Sequence, residues 1–230
     1  MEPHLETVQV GAMFLHTSPE FAMKRVIAAG LPRIYQITPC FREEEVGIHH
    51  SREFTMLEWY RVGAGMWELM DDVETLIGVA ASSLHQAEPK FQRIPVSDLI
   101  SPELAPDDWF HTWVDKVEPT LTSPTIVYDY PHWQAALAKE RGACAERFEV
   151  YLGGIELGNA FAEETDRTVI EARMNAANQS RANRGIPPHP IDSNFLDAVN
   201  RLPRCAGIAV GLDRLVMTLT GAPSIRDVQV

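Results

Sequence analysis

Residues 41–60, FREEEVGIHHSREFTMLEWY, decide the fold of this chain. Two runs rich in β-branched and aromatic residues, 33–38 and 53–61, flank a charged, turn-prone segment from Arg42 to Arg52. Such runs predict two strands, and a loop of this kind between them predicts an antiparallel hairpin. Alternation along the second strand then gives one face an aromatic ring, a carboxylate and a phenol, carried by Phe54, Met56, Glu58 and Tyr60.

The pattern outside this hairpin mixes helices with short strands. Residues 18–29 predict a helix with Ser18 as N-cap and Gly30 as its stop, because these residue types favour those positions. Apolar spacing and strand composition predict the remaining elements: helices at 66–87, 168–184 and 213–219, and strands at 125–130, 147–152 and 206–211. We therefore predict an α+β fold with a central antiparallel sheet flanked by helices. Residues 1–230 are predicted to form a single domain, with a small irregular, proline-containing insertion around 88–124.

Composition argues against several classes of protein. The chain of 230 residues carries 32 acidic and 20 basic residues, a formal charge of −12, whereas nucleic-acid binders usually present a basic face. No apolar run approaches the length of a membrane span, and no signal peptide opens the chain, so we expect a cytoplasmic protein with no membrane partner. The cysteines, three in number and widely spaced, predict neither a disulfide framework nor a zinc site.

A second stretch, RFEVYLGGIELGNAFAEETD at 147–166, concentrates polar groups on two adjacent strands. Glu149 and Glu156 bracket a turn at Gly153–Gly154, which would bring the two carboxylates together. Oxygen ligands of this kind suit magnesium bound to ATP. Asn159, Phe161 and Glu163 then alternate along the next strand. An acidic strand at a solvated sheet edge is the simpler structural reading of the same residues.

A third stretch, GIAVGLDRLVM at 207–217, runs from a small-residue strand into a helix that carries Arg214 in its first turn. A cation at a helix N-terminus opposes the helix dipole, and such breaches of local preference are more expected at functional sites. An ordinary surface arginine remains the commoner explanation for any one such residue. The three stretches together are more informative than any one of them.

Their order and wording resemble the catalytic core of class II aminoacyl-tRNA synthetases. FREE with REFTMLEWY resembles motif 2 in its lysyl-tRNA synthetase version, GIAVGLDRLVM resembles motif 3, and the stretch 147–166 resembles the lysyl-specific segment upstream of motif 3. The resemblance implies ATP and Mg²⁺ as cofactors. It also implies the roles of individual residues. Arg42 and Arg214 would be the catalytic residues. The implied ATP-binding residues are Arg42, Glu44, His50, Phe54, Glu156 and Arg214. The implied magnesium ligands are Glu149 and Glu156. The implied binders of the substrate lysine are Glu20, Glu58, Tyr60, Asn159, Phe161 and Glu163.

Two further stretches favour one branch of this family. HTSPEFAMKR at 16–25 and RGIPPHPIDSNFLDAV at 184–199 resemble the stand-alone elongation factor P lysine ligases, which lack an anticodon-binding domain. This resemblance implies lysine or β-lysine as substrate, elongation factor P as the protein acceptor, and no tRNA. Motif 1, which builds the class II dimer interface, is not recognisable before Leu15, so a homodimer is a possibility that the sequence leaves open.

Three alternatives stay open at this stage. In the lysine ligases the pocket strand usually runs E-L-A-N-G-F, whereas this chain has Gly158 in place of the alanine and Ala160 in place of the glycine, so the choice between α-lysine and β-lysine is undecided. A methyl group in an apolar pocket contributes about 1–3 kcal/mol to such a choice. Two further alternatives are a truncated lysyl-tRNA synthetase that charges tRNA, and an inactive relative that only binds lysine or nucleotide.

Overall fold

The computed structural model describes residues 6–43 and 46–229. Its strands are β1 (Gln9–Val10), β2 (Met13–Phe14), β3 (Arg33–Phe41), β4 (Glu53–Val62), β5 (Gln92–Pro95), β6 (Thr125–Pro131), β7 (Glu140–Arg141), β8 (Cys144–Leu152), β9 (Ile155–Ala162) and β10 (Cys205–Gly211). Its α-helices are α1 (Glu20–Ala28), α2 (Met66–Ser83), α3 (Pro106–Thr112), α4 (Arg167–Asn183), α5 (Ser193–Val199) and α6 (Leu212–Thr220). None of the helices in these ranges is both long and apolar enough to cross a lipid bilayer.

One large sheet organises the described residues. Its strands lie in the order β3-β4-β10-β9-β8-β6-β5, and β7 pairs with β8 beside this path. Neighbouring strands are antiparallel except β5 and β6, which are parallel. The predicted α+β fold with a central antiparallel sheet is therefore confirmed. The predicted hairpin is β3 with β4, joined through the charged loop, and β4 continues the sheet by pairing with β10.

The two faces of the sheet differ: one packs against an apolar core, and the other borders a polar cavity. Helix α2 covers one face with Leu69, Met70, Val73 and Ile77, all fully buried. Ala206 and Val210 of β10 point into this core, whereas the alternate residues Gly207 and Ala209 border a cavity on the opposite face. Alternation along each strand thus separates an apolar core from a polar cavity. The same separation holds for β4, where Trp59 packs on the core and Glu58 faces the cavity.

The segment 88–124, predicted to be irregular, contains regular structure. Strand β5 lies at the edge of the main sheet and pairs with β6. Helix α3 runs on into a π-helical turn at Trp113–Val117, and the rings of Trp109 and Trp113 stack with centroids 5.0 Å apart. Sequence periodicity missed β5 because a four-residue strand is too short to show an alternating pattern.

Helix α1 begins slightly later than its sequence predicts. Pro19, not Ser18, occupies the N-cap position, and the Ser18 hydroxyl accepts a hydrogen bond from the Glu20 backbone N–H at 3.3 Å. The prediction of Ser18 as the N-cap was therefore wrong by one residue. Gly30 follows the helix with φ +109°, a conformation that favours glycine, and the predicted stop is confirmed.

Candidate active site

A single cavity of about 840 Å³ collects most of the residues that the sequence singled out. It lies over the face of the sheet opposite α2. The predicted residues that line it are Glu20, Arg42, His50, Phe54, Glu58, Tyr60, Glu156, Asn159, Phe161, Glu163 and Arg214. Residue Glu44, predicted to contact the nucleotide, falls outside the described residues. Glu149, predicted as a metal ligand, is not among the lining residues.

One end of the cavity is rich in cations. Arg42 follows β3, and its backbone N–H donates to the Arg52 carbonyl at 2.9 Å, which closes the base of the loop. The guanidinium carbon of Arg42 lies 5.1 Å from the centroid of the Phe54 ring at the start of β4. A guanidinium and an aromatic face at this separation form a cation–π contact. The hairpin therefore presents a charged fork and a flat ring side by side.

Arg214 reaches the same end of the cavity from α6. Its Nε donates to the His49 carbonyl at 3.0 Å, and its Nη1 donates to the Glu156 carbonyl at 2.9 Å. The Glu156 carboxylate lies 3.8 Å from the same Nη1. These contacts fix a guanidinium at the N-terminal end of a helix, where it opposes the helix dipole and would be unfavourable without partners.

The preceding residue, Asp213, ties α6 to the hairpin. Its Oδ2 accepts hydrogen bonds from the Thr55 backbone N–H at 2.8 Å and from the Gln229 amide at 3.1 Å. The two stretches that carry Arg42 and Arg214 are therefore held together by a direct side-chain contact. This contact explains how residues more than 150 positions apart in sequence border one cavity.

The other end of the cavity is acidic and buried. The Tyr60 hydroxyl donates to Glu58 Oε1 at 2.5 Å, and both residues are almost completely buried. Burial, and then the Glu58 carboxylate, hold the pKa of Tyr60 well above its usual range, so the phenol keeps its proton. Glu20 from α1 and Glu163, which follows β9, complete this end of the cavity.

Glu163 is the most unusual of these acids. Its side chain is 1% exposed, and one of its oxygens pairs with Lys24 Nζ at 2.6 Å. Its Oε1 is buried and accepts no hydrogen bond from any residue within the described ranges. Burial, opposed by Lys24, raises the pKa of Glu163 to about 8. Once ionised, the free oxygen of this cavity-lining side chain can accept a hydrogen bond from a cationic ligand.

Gly207 makes the position of Tyr60 possible. Residues 207 and 60 are cross-strand partners in β10 and β4. A Cβ at position 207 would lie 2.1 Å from Cε1 of the Tyr60 ring, well inside any real contact distance. Glycine therefore lets the tyrosine ring lie flat against the neighbouring strand and present its hydroxyl to Glu58.

Position 158 is equally restricted. A Cβ on Gly158 would lie 2.6 Å from the Ala209 carbonyl oxygen of the next strand, so this backbone leaves no room for an alanine. Ala160 is fully buried and packs in the core beneath α2, not against the cavity. The methyl group at 160 therefore does not narrow the cavity, whereas the glycine at 158 borders it.

Glu149 lies beside the cavity and is already engaged. Its carboxylate accepts hydrogen bonds from the Tyr130 hydroxyl at 2.5 Å and the Tyr151 hydroxyl at 2.6 Å, and it pairs closely with Arg147. Burial, and then the Glu149 charge, raise the pKa of Glu156 to about 7. The two predicted magnesium ligands are thus electrostatic neighbours. Within the described residues, however, no group of three or more acids, histidines or cysteines could hold a metal ion.

Sequence reasoning missed Arg147, a cavity-lining residue. Its Nε donates to Asn159 Oδ1 at 3.2 Å, and its Nη1 donates to the Gln134 carbonyl at 3.1 Å. The guanidinium also lies 4.6 Å from the Tyr130 ring centroid. A signal was present, because strand alternation places residues 147 and 149 on one face of β8. We infer that Arg147 orients the Asn159 amide.

Comparison with known proteins agrees with this geometry. The family described as tRNA synthetases class II (D, K and N) matches residues 4–230. The chain therefore belongs to the class II tRNA synthetases of this group. It is also 40% identical over 247 residues to a Yersinia enterocolitica protein named elongation factor P--(R)-beta-lysine ligase, covering 94% of this chain and 76% of that protein. Proteins of the same name from Salmonella typhi and Salmonella gallinarum show the same identity and coverage.

Proposed function

We propose that this protein activates lysine or β-lysine with ATP and transfers the product to a lysine side chain of elongation factor P. The observation that carries this proposal is the polarity of one cavity. Arginines and an aromatic ring lie at one end, and buried acids lie at the other. The relatives named elongation factor P--(R)-beta-lysine ligase support the choice of acceptor.

The cationic end suits ATP. We propose that Phe54 stacks on the adenine ring, with Arg214 on its other face, while Arg42 contacts the α-phosphate. His50 borders the same end and is proposed to contact the terminal phosphates. Arginine forks are well matched to phosphate oxygens because they donate two parallel hydrogen bonds. The role of Glu44 near the adenine stays a prediction from the sequence.

A magnesium ion, which ATP would bring with it, is matched only in part. Glu156 borders the cavity next to Arg214 and fits a role as a ligand. Glu149 would have to share a carboxylate that two phenols and a guanidinium already contact. Phosphate oxygens and water would therefore supply most of the coordination shell, as magnesium commonly requires. When bound, the ion would offset the negative charge of the phosphates.

The acidic end suits a substrate with two ammonium groups. We propose that Glu20 accepts the amino group near the reacting carboxylate, and that Glu58, Tyr60 and Glu163 enclose the distal ammonium. Asn159 and Phe161 would shape the space between them. A buried ammonium loses its hydration, so it needs directed acceptors to offset that loss. The uncommitted Oε1 of Glu163 is one such acceptor.

The chemistry then needs positioning and charge stabilisation in place of a side-chain nucleophile. A carboxylate oxygen of lysine attacks the α-phosphorus, the bond to the bridging oxygen breaks, and pyrophosphate leaves with that electron pair. Arg42 would stabilise the charge that develops on the α-phosphoryl oxygens. In the second step the acceptor amine attacks the adenylate carbonyl, loses a proton and expels AMP. Alignment of the reactants supplies much of the rate enhancement in reactions of this kind.

The remaining expectations follow from the same reading. We propose one catalytic domain across residues 1–230 and action in the cytoplasm on a protein acceptor and not on tRNA. The net charge of −12 favours a protein acceptor over tRNA. Retention of labelled tRNA on filters at physiological salt would instead favour a tRNA-charging enzyme.

Intact-mass measurement tests the proposed reaction. The protein is incubated with ATP, elongation factor P and either α-lysine or (R)-β-lysine, and we expect the acceptor to gain the mass of one lysyl group with at least one isomer. Elongation factor P with its acceptor lysine replaced by arginine is the matched control and should gain nothing. No gain with either isomer, despite a folded enzyme, would refute the transfer step.

Lysine affinity should depend on pH through Glu163. Because burial raises the pKa of Glu163 to about 8, the acid is largely protonated below that pH. Lysine prefers the ionised carboxylate, so binding releases a proton and affinity should rise with pH. The expected rise is about tenfold per pH unit from pH 6 towards 8, with a plateau above. Calorimetry in buffers of different ionisation enthalpy measures both the affinity and the proton release, and a flat profile would contradict this assignment.

A further inference from the structure

A buried lysine lies behind the acids of the substrate end. Lys24 Nζ is 2.6 Å from Glu20 Oε1 and 2.6 Å from Glu163 Oε2. Its side chain is 3% exposed and does not border the cavity, whereas both acids do. The ammonium thus contacts one oxygen of each carboxylate from a position outside the cavity. The arrangement is a bridge between helix α1 and the residue that follows β9.

The surroundings of Lys24 are acidic or neutral on every element packed against it. The titratable groups that face it are Glu20 from α1, Glu163 after β9, Tyr60 from β4, whose ring centroid lies 6.0 Å from Nζ, and Cys205 from β10. The acids outweigh the cost of burial, so the pKa of Lys24 lies above its usual range and the ammonium keeps its charge. Burial raises the pKa of the Cys205 thiol to about 12, so that group stays neutral.

Two buried carboxylates this close would repel each other without a cation between them. One of them would then hold a proton tightly, because a like charge and burial both disfavour ionisation. A protonated acid would be a poor acceptor for a substrate ammonium. Lys24 opposes this outcome, since its charge lowers the cost of ionising Glu163.

We propose that Lys24 is a positioning residue of the substrate site, which holds Glu20 and Glu163 in place so that their remaining oxygens face the ammonium groups of the substrate. This inference rests on the proposed function. It also explains the charge of the acidic end. Glu20, Glu58 and Glu163 with Lys24 give three negative charges and one positive, a net −2 when all are ionised, which matches a substrate with two ammonium groups.

The test compares Lys24→Met and Lys24→Arg with the unaltered protein. Methionine keeps the volume and removes the charge, so we expect lysine affinity at pH 7 to fall about tenfold or more. The rise of affinity with pH should also continue to higher pH, because Glu163 becomes harder to ionise. The affinity for ATP should stay unchanged. Arginine restores a cation, and Lys24→Arg should recover part of the original pH profile.

Arg181→Met separates this role from a loss of stability. Arg181, on α4, is another buried cation, and its Nη1 lies 2.7 Å from Glu6 Oε1. It does not border the cavity. Its replacement should lower the melting temperature without altering lysine affinity or its pH profile. If Lys24→Met folds and keeps both the affinity and the pH profile for lysine, Lys24 has no positioning role. If only its melting temperature falls, the lysine is structural and the proposal also fails.

A measurement made without substrate tests the role of Lys24 independently of the proposed function. Carbon-13 NMR of glutamate-labelled protein follows the titration of Glu163, with Glu163→Gln used to assign its signal. We expect Glu163 to titrate at a clearly higher pH in Lys24→Met than in the unaltered protein. If the titration moves but the unaltered protein fails to activate lysine, the proposed function fails and the role of Lys24 stands. An unmoved titration overturns the role of Lys24 alone.

Discussion

Replacing Arg42 with alanine is expected to reduce lysine-dependent exchange of pyrophosphate into ATP by about 10³-fold or more. The guanidinium borders the cavity beside the Phe54 ring, at the end proposed to hold the α-phosphate. Charge builds on the phosphoryl oxygens as the carboxylate attacks, and a fixed cation stabilises that state more than it stabilises bound ATP. The loss should therefore appear mainly in kcat. The hydrogen bond that closes the loop uses the backbone N–H of residue 42, which alanine retains, so the fold should persist.

Arg52→Ala is the matched control for this change. Arg52 lies on the same loop, with its side chain 62% exposed and paired with Glu43 at 3.5 Å, and it does not border the cavity. Exposed ion pairs contribute little, so exchange should stay close to that of the unaltered protein. A folded Arg42→Ala protein with undiminished exchange would show that the triphosphate does not bind at this end.

The sequence was most informative where strand alternation and residue type agree. The pattern at 53–61 placed Phe54, Glu58 and Tyr60 on one face, and all of them border the cavity. The small-residue strand before Arg214 was equally informative, because its small residues leave room for side chains of the neighbouring strand. Gly207 shows the physical reason, since the Tyr60 ring fills the space that a side chain would need.

Long-range contacts explain what the sequence did not predict. Lys24 follows Glu20 by one helical turn, so the pair was foreseeable, but its second partner, Glu163, lies on a distant element. The Asp213 contact to the Thr55 backbone is of the same kind. The state of Glu149 was also hidden, because it depends on Tyr130 from another strand. Sequence spacing predicts that two carboxylates lie near each other. It does not show which of them already accepts hydrogen bonds from other groups.

Replacing Glu163 with glutamine is expected to weaken lysine binding by about 100-fold. Removing one charge from a buried ion pair typically costs about 3–5 kcal/mol. Part of that cost is avoided here, because Glu58 and Tyr60 also border the cavity and would still contact the ammonium. Glutamine retains the shape of the side chain, and Glu163 is remote from the arginines that would hold ATP, so the affinity for ATP should not change. Calorimetric titration with lysine and with ATP measures both effects.

The pH profile provides a second and sharper consequence of the same substitution. Glutamine does not titrate, so the rise in lysine affinity towards pH 8 should disappear in Glu163→Gln. Glu164→Gln is the matched control, because the Glu164 carboxylate accepts hydrogen bonds from the backbone N–H groups of Thr165 and Asp166 and does not border the cavity. That variant should keep both the affinity and the slope. If the slope survives in Glu163→Gln, another acid controls it, and the ammonium of lysine does not bind against residue 163.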